Sequence, residues 1–168
     1  ILYAGSCSKS KGIKRLIYLA EKMPDYNFYI ANNEGYDNTN IIKTLKKVNT
    51  IWLGKLNKKD LYDLIDKVEF CILPNETSNK ENIYTSPMKL FEYMSRGKAL
   101  ILSPISAVLE IFPKDSYINL GKSNSDLETA SQLIREINPN SLSKYSLELI
   151  SQFTWEKRAK RMYQLFRY

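Results

Sequence analysis

The stretch YTSPMKLFEYMSRGKALILSP, Tyr84 to Pro104, decides how this chain is read. It holds a Ser-Pro pair, a run of helix formers carrying one acid, Glu92, then Gly97 and the apolar run KALIL. Pro87 suits the first position of a helix, where its missing N–H costs nothing, and Ser86 can cap the same end. Gly97 can take the left-handed conformation that closes a helix. KALIL then reads as a fully buried strand.

The same alternation extends in both directions. Upstream, ILYAG (1–5) is a short apolar run, and from Lys11 the period becomes helical, with Ile13, Leu16, Ile17, Ala20 and Met23 on one face. Pro24 and Asp25 break it. NFYIAN (27–32) is the next strand, IIKTLKKV a short helix and TIWLG (50–54) a third strand. Leu61, Leu64, Ile65 and Val68 mark a further helix, and EFCILP (69–74) a fourth strand, followed by the polar loop NETSNKENIYTS. Downstream come a short helix at Ala107 to Phe112, a last strand YINL, and helices over 124–138, 141–152 and 154–168. Strands alternating with helices predict an α/β, Rossmann-like, doubly wound parallel sheet of about six strands, with helices on both faces and a helical C-terminus. Ligands of such sheets bind beyond the carboxyl ends of the strands. The loops after Gly5, Ala31, Gly54, Pro74 and Pro104 are therefore the places to look.

At 168 residues the chain has the size of one domain. No apolar run approaches the length that crosses a bilayer. ILYAG is too short for the apolar part of a signal peptide. The sequence opens without Met inside an apparent strand, and we expect it to be a piece of a longer protein. Cys7 and Cys71 lie in or beside apolar runs, and no disulfide framework is indicated, as befits a cytoplasmic chain. Net charge is +7, which admits nucleic acid, anionic lipid or a phosphorylated ligand as partner. The abundance of Lys, Asn, Ile and Tyr also follows from an AT-rich genome without any function. Aromatics interleaved with clustered cations are lacking, so no nucleic-acid partner is expected. There is no histidine, which removes Ser-His-Asp and Cys-His nucleophile systems and His metal sites; no metal site is expected.

Two stretches carry chemistry. GSCSKSKG, Gly5 to Gly12, follows a strand and opens a helix, as a phosphate-binding loop does. It is neither a dinucleotide fingerprint nor a P-loop. Taken on its own, Lys11 reads as a solvated surface lysine, one of many in the chain. In the opening stretch Glu92 stands four residues before Arg96, a favourable helix pair. Lys89 lies in the first turn, against the helix dipole, a placement easier to explain with an anion bound there.

YAGSCSKSKGIKRLIYLAEKMPDYNFYIA, TIWLGKLNKKDLYDLIDKVEFCILP, SPMKLFEYMSRGKALILS and FTWEKRAKRMYQLF together resemble the C-terminal half of the group 1, retaining, GT-B-fold glycosyltransferases. The resemblance covers essentially all 168 residues. It implies a single domain, 1–168, that binds a nucleotide-sugar donor, UDP- or GDP-linked, as substrate and without a further cofactor. The N-terminal, acceptor-binding domain would lie outside this chain. Transfer would go with retention to a glycan, lipid-linked or protein acceptor, in a cytoplasmic bacterial enzyme of polysaccharide biosynthesis. The alternative is a domain of the same build that binds without catalysing; either way the fragment alone is expected to be inactive.

Residue by residue, the resemblance places Lys11 on the donor diphosphate as the leaving-group stabiliser, in a loop bounded by Gly5, Ser6 and Gly12. Glu92 takes the place of the acid that binds the ribose hydroxyls. Backbone groups of Ser86, Met88 and Lys89, with Pro87 among them, hold the diphosphate, and the base packs beside Gly54, Lys55 and Leu56. Three departures stand out, the mildest being that the family's Gly-Lys-Pro turn reads Gly97-Lys98-Ala99. Ser6 occupies the usual place of an arginine, so one phosphate cation is missing, which Lys89 would partly replace. The first acid of the family's pair falls on Tyr84, in the place that meets the donor sugar.

The last helix carries five cations, Lys157, Arg158, Lys160, Arg161 and Arg167, and puts Trp155, Ala159, Met162, Tyr163 and Phe166 on one face and most of the cations on the other. A core helix is the plain reading. In the family this region runs back to the other domain, and a basic amphipathic helix also suits peripheral contact with an anionic membrane.

Overall fold

The computed structural model describes residues 1–32, 39–83 and 88–166. The chain runs β1 (Leu2–Ala4), α1 (Ile13–Lys22), β2 (Phe28–Ala31), α2 (Thr39–Leu45), β3 (Thr50–Gly54), α3 (Lys58–Lys67) and β4 (Phe70–Leu73). A 3-10 turn at Lys80–Ile83 precedes α4 (Met88–Ser95), β5 (Ala99–Leu102), α5 (Ser106–Ile111) and β6 (Ile118–Asn119). Helices α6 (Asn124–Glu136), α7 (Pro139–Ile150) and α8 (Trp155–Leu165) end it. The expected alternation of strand and helix is therefore present in order. The 3-10 turn lies in a stretch whose composition reads as loop.

The six strands form one parallel sheet in the order β3-β2-β1-β4-β5-β6. From β1 the chain winds outward to β3, then returns and winds the other way from β4, so the connections diverge between β1 and β4. That is where a doubly wound sheet opens a crevice at its carboxyl edge. The ladder is thin there, with Leu2 against Cys71 as the register pair. The N–H of Ala4 donates instead to the hydroxyl of Tyr93 on α4, at 2.9 Å.

Successive strand side chains point to opposite faces, and each face has its own core. Tyr3, Ile30, Ile72 and Ile101 pack with Ile13, Leu16 and Leu19 of α1 and Leu127 and Ile134 of α6. Leu2, Cys71, Leu100 and Leu102 pack on the other face with Leu61 and Ile65 of α3 and Leu90, Tyr93 and Met94 of α4. All four residues of β5 are buried, as KALIL requires. Gly97 closes α4 with φ 60°, and the N–H groups of Gly97 and Lys98 donate to Met94 O (2.9 Å) and Tyr93 O (3.2 Å). This pair of bonds satisfies carbonyls that the helix end would otherwise leave open.

The last helix departs from the core reading. Phe153 still packs inward, its ring 5.5 Å from that of Phe91. Beyond it no residue of α8 is buried; Trp155 is 70% and Phe166 80% exposed. The flank of α4 and β5 that α8 could have covered is already taken by α7, whose Ser146 hydroxyl donates to Lys98 O at 2.8 Å.

Candidate functional site

The loop from Gly5 to Gly12 is held at both ends and in its middle. The Gly5 N–H donates to Ala31 O (3.0 Å) at the end of β2, and the Tyr3 hydroxyl donates to Ser6 O (2.6 Å). The N–H groups of Lys11 and Gly12 donate back to Ser8 O (3.2 Å) and Lys9 O (3.0 Å). Gly12 has φ 71°, and a Cβ there would overlap the Pro74 carbonyl oxygen and stand 2.6 Å from its carbon. Only glycine lets the loop lie this close to the end of β4.

Helix α1 then starts with neither a side-chain cap nor an acid in its first turn. Lys11, Lys14 and Arg15 all stand at this positive end of the helix dipole, where cations are unfavourable and an anion is favoured. Lys11 is half-buried, and its ammonium makes no hydrogen bond or ion pair among the described residues. Arg15 is buried; one guanidinium nitrogen donates to Leu120 O and Gly121 O, both at 2.8 Å, which ties α1 to the loop after β6. Burial lowers its pKa, opposed by the charges of Glu76 and Asp126, and its Nε has no partner.

The facing wall is the segment between β4 and α4. Its Glu76 N–H donates to Ser10 O at 3.0 Å. The Asn82 side chain donates to Ser10 O (2.9 Å) and Glu76 O (2.7 Å), and accepts from Asn75 Nδ2 (3.1 Å). Nothing in the polar string NETSNKENIYTS singles out these two asparagines. Their burial is what marks them, at 4% and 2% exposure for Asn75 and Asn82. Tyr93 is likewise unmarked in the sequence, although its hydroxyl pins α4 to β1.

On α4, Lys89 Nζ lies 2.7 Å from Glu92 Oε2, one turn apart, with both side chains about a quarter exposed. The expected Glu92–Arg96 pair does not form. Arg96 reaches instead across to Asp66 of α3 (3.0 Å) and stacks over the Tyr62 ring (4.5 Å to the centroid). Lys89 thus finds its counter-charge within the chain, and its place at the helix start needs no bound anion to account for it. Met88 is 60% exposed. Tyr84, Ser86 and Pro87 lie outside the described residues. Gly54, at φ 66°, and exposed Lys55 end β3, two strand spacings from β1, roughly 9.5 Å along the sheet edge.

One edge of the sheet therefore gathers an unpaired lysine at an uncapped helix start, a carboxylate on a second helix, and a glycine turn further out. Such a set can hold an anion at Lys11 and accept hydroxyl donors at Glu92. Cys7 contributes no nucleophile, because burial pushes its thiol up to about 11.

A sequence profile described as "Glycosyl transferases group 1" matches residues 1–146. A search of curated proteins returned no match. Among solved structures, sucrose-phosphate synthase from Thermosynechococcus elongatus is similar at TM-score 0.80 and 18% identity, covering 99% of this chain and 44% of that one. TarM is similar at TM-score 0.78 and 14% identity, covering 99% of this chain and 34% of its own. AviGT4, a glycosyltransferase involved in avilamycin A biosynthesis, is similar at TM-score 0.69 and 12% identity, covering 94% of this chain and 49% of its own. At these identities the likeness is one of fold. The chain spans less than half the length of each of the three.

Proposed function

From a chain that belongs to the group 1 glycosyltransferases, we propose the donor-binding half of an enzyme that moves a sugar from a nucleoside diphosphate to an acceptor hydroxyl, with retention. The observation that carries this is the half-buried, unpaired Lys11 at the uncapped start of α1, beside the β1–β4 switch point. In this reading the donor diphosphate lies against Lys11 and the start of α4, and the ribose hydroxyls donate to Glu92. The base rests by Gly54, Lys55 and Leu56. The bond between the anomeric carbon and the diphosphate oxygen breaks as the bond to the acceptor oxygen forms on the same face. The acceptor proton passes to the departing phosphate. Negative charge grows on the diphosphate during this step, and fixed cations and N–H groups aimed at it lower the barrier.

The nucleotide is a uridine or guanosine diphosphate, and the acceptor is a glycan, a lipid-linked sugar or a protein, met by a second domain outside this chain. The enzyme works in the cytoplasm, on polysaccharide assembly, with α8 as its contact to that second domain or to the membrane face. Ser6, in place of an arginine, favours a second reading, a domain that binds nucleotide sugar without transferring it. Calorimetry of the chain against UDP, GDP, ADP and their sugar conjugates tests the donor reading; no binding to any of them overturns it. Incubating the chain with the donor it binds and a panel of acceptors, followed by mass analysis, should show no transfer product, because one half of the cleft cannot orient an acceptor.

A further inference from the structure

We infer that Asn82 is a positioning residue for the diphosphate end of the donor, acting through the peptide plane that carries Lys11. The inference rests on the donor reading above and adds to it a side chain which that reading does not use. A primary amide offers two N–H donors and one carbonyl acceptor. Asn82 spends both donors on main-chain carbonyls of two different segments, Ser10 O at 2.9 Å and Glu76 O at 2.7 Å. Its own oxygen accepts from Asn75 at 3.1 Å, and this fixes which way the amide faces.

The Ser10 carbonyl is the decisive atom. It belongs to the same planar peptide unit as the Lys11 N–H, so orienting one orients the other. That plane is held on its oxygen side by the Asn82 amide and the Glu76 N–H (3.0 Å), and on its nitrogen side by Ser8 O (3.2 Å). The Lys11 side chain leaves from the far end of this unit. The other carbonyl in the clamp, Glu76 O, opens the segment that leads into α4. One buried amide therefore ties the loop that carries the lysine to the segment that follows β4. Displacements of about 1 Å at such a site are costly to rate.

Asparagine is needed there and aspartate is excluded, because a carboxylate has no donor for either carbonyl. The test is calorimetry on the 168-residue chain with UDP and GDP, their nucleosides and inorganic pyrophosphate. We expect Asn82→Asp to weaken diphosphate and pyrophosphate binding tenfold or more, and nucleoside binding less than twofold. Amide exchange at Lys11 and Glu76 should quicken while exchange in the β5 core does not change. Parallel loss of nucleoside and diphosphate, or unchanged diphosphate binding, overturns the inference and leaves the donor reading standing. A wild-type chain that binds none of the probes overturns the donor reading and this inference together. Should Asn82→Asp fail to fold, Asn75→Ala removes only the bond that orients the amide. A selective loss of threefold or more is then expected, and an equal or absent loss overturns the inference.

Discussion

Glu92 has two partners to serve. One carboxylate oxygen stands on the Lys89 ammonium, and in the proposed site the group must also meet two ribose hydroxyls. A carboxylate has about four acceptor positions, so both are compatible. Glu92→Ala is expected to weaken nucleoside diphosphate binding by about 1.5–3 kcal/mol, the range for hydrogen bonds to a charged group. A 2′-deoxynucleotide should bind the native chain poorly and lose little more on substitution, as read by calorimetry; equal losses in both would reduce Glu92 to a partner of Lys89. Cys7 offers a second measurement. Its thiol, with an ordinary value of 9.0, is held to about 11 by burial, and burial shifts Cys71 and Tyr3 the same way. The unfolded chain releases these protons at lower pH than the folded one, so the folded state binds more protons from about pH 9 upward. Stability is then complete below pH 9 and falls as pH rises toward 11. Urea midpoints should be lower at pH 10 than at pH 8; the reverse order would contradict it. At pH 8 neither cysteine should react quickly with a thiol reagent until the chain unfolds.

Among elements, the turn into α1 is the least forgiving. Gly12→Ala forces a Cβ into a left-handed residue and into the Pro74 carbonyl, and should destabilise by about 2 kcal/mol or more. Gly54→Ala is the control: φ is similar, 66°, but among the described residues the new Cβ would meet nothing nearer than Trp52 Nε1 at 4.0 Å. It should cost only the backbone term, about 1–2 kcal/mol. Comparable denaturation midpoints for the two variants would show that the contact with Pro74 relaxes freely. The helices and strands were legible because their apolar faces repeat: Ile13, Leu16 and Ala20 announce α1, and ALIL announces β5. The 3-10 turn at 80–83 carries no such repeat; it is held by an asparagine bonded to a carbonyl 72 residues earlier, which no local pattern encodes. The partner of Arg96 is illegible in the sequence for a related reason. Spacing along one helix offered Glu92, while the tertiary fold brought Asp66. For α8 the pattern showed correctly that one face is apolar, but a pattern cannot say what covers that face.

At the scale of the molecule, the apolar face of α8 is solvent-exposed in this chain, with Trp155, Met162, Tyr163 and Phe166 opposite a row of cations. A basic amphipathic helix with exposed aromatics partitions into the headgroup region of anionic bilayers. We expect weak binding of the chain to phosphatidylserine or phosphatidylglycerol vesicles in a flotation assay, fading between low and physiological salt. It should be lost in a chain ending at Phe153. No binding, or binding unmoved by salt, would overturn the membrane contact.

The clamp at Ser10 has a consequence for how the chain reaches its fold. Asn82 lies 72 residues beyond Ser10, and Gly121 lies 106 beyond Arg15. Contacts of such separation close large loops and carry an entropic cost that local helices avoid, so they form late and slowly. During refolding, far-UV circular dichroism should therefore recover before the Glu76 amide gains exchange protection. A chain emerging from the ribosome would hold α1 and its lysine for some seventy residues of synthesis, several seconds at about 5–20 residues per second, before the side chain that orients them exists.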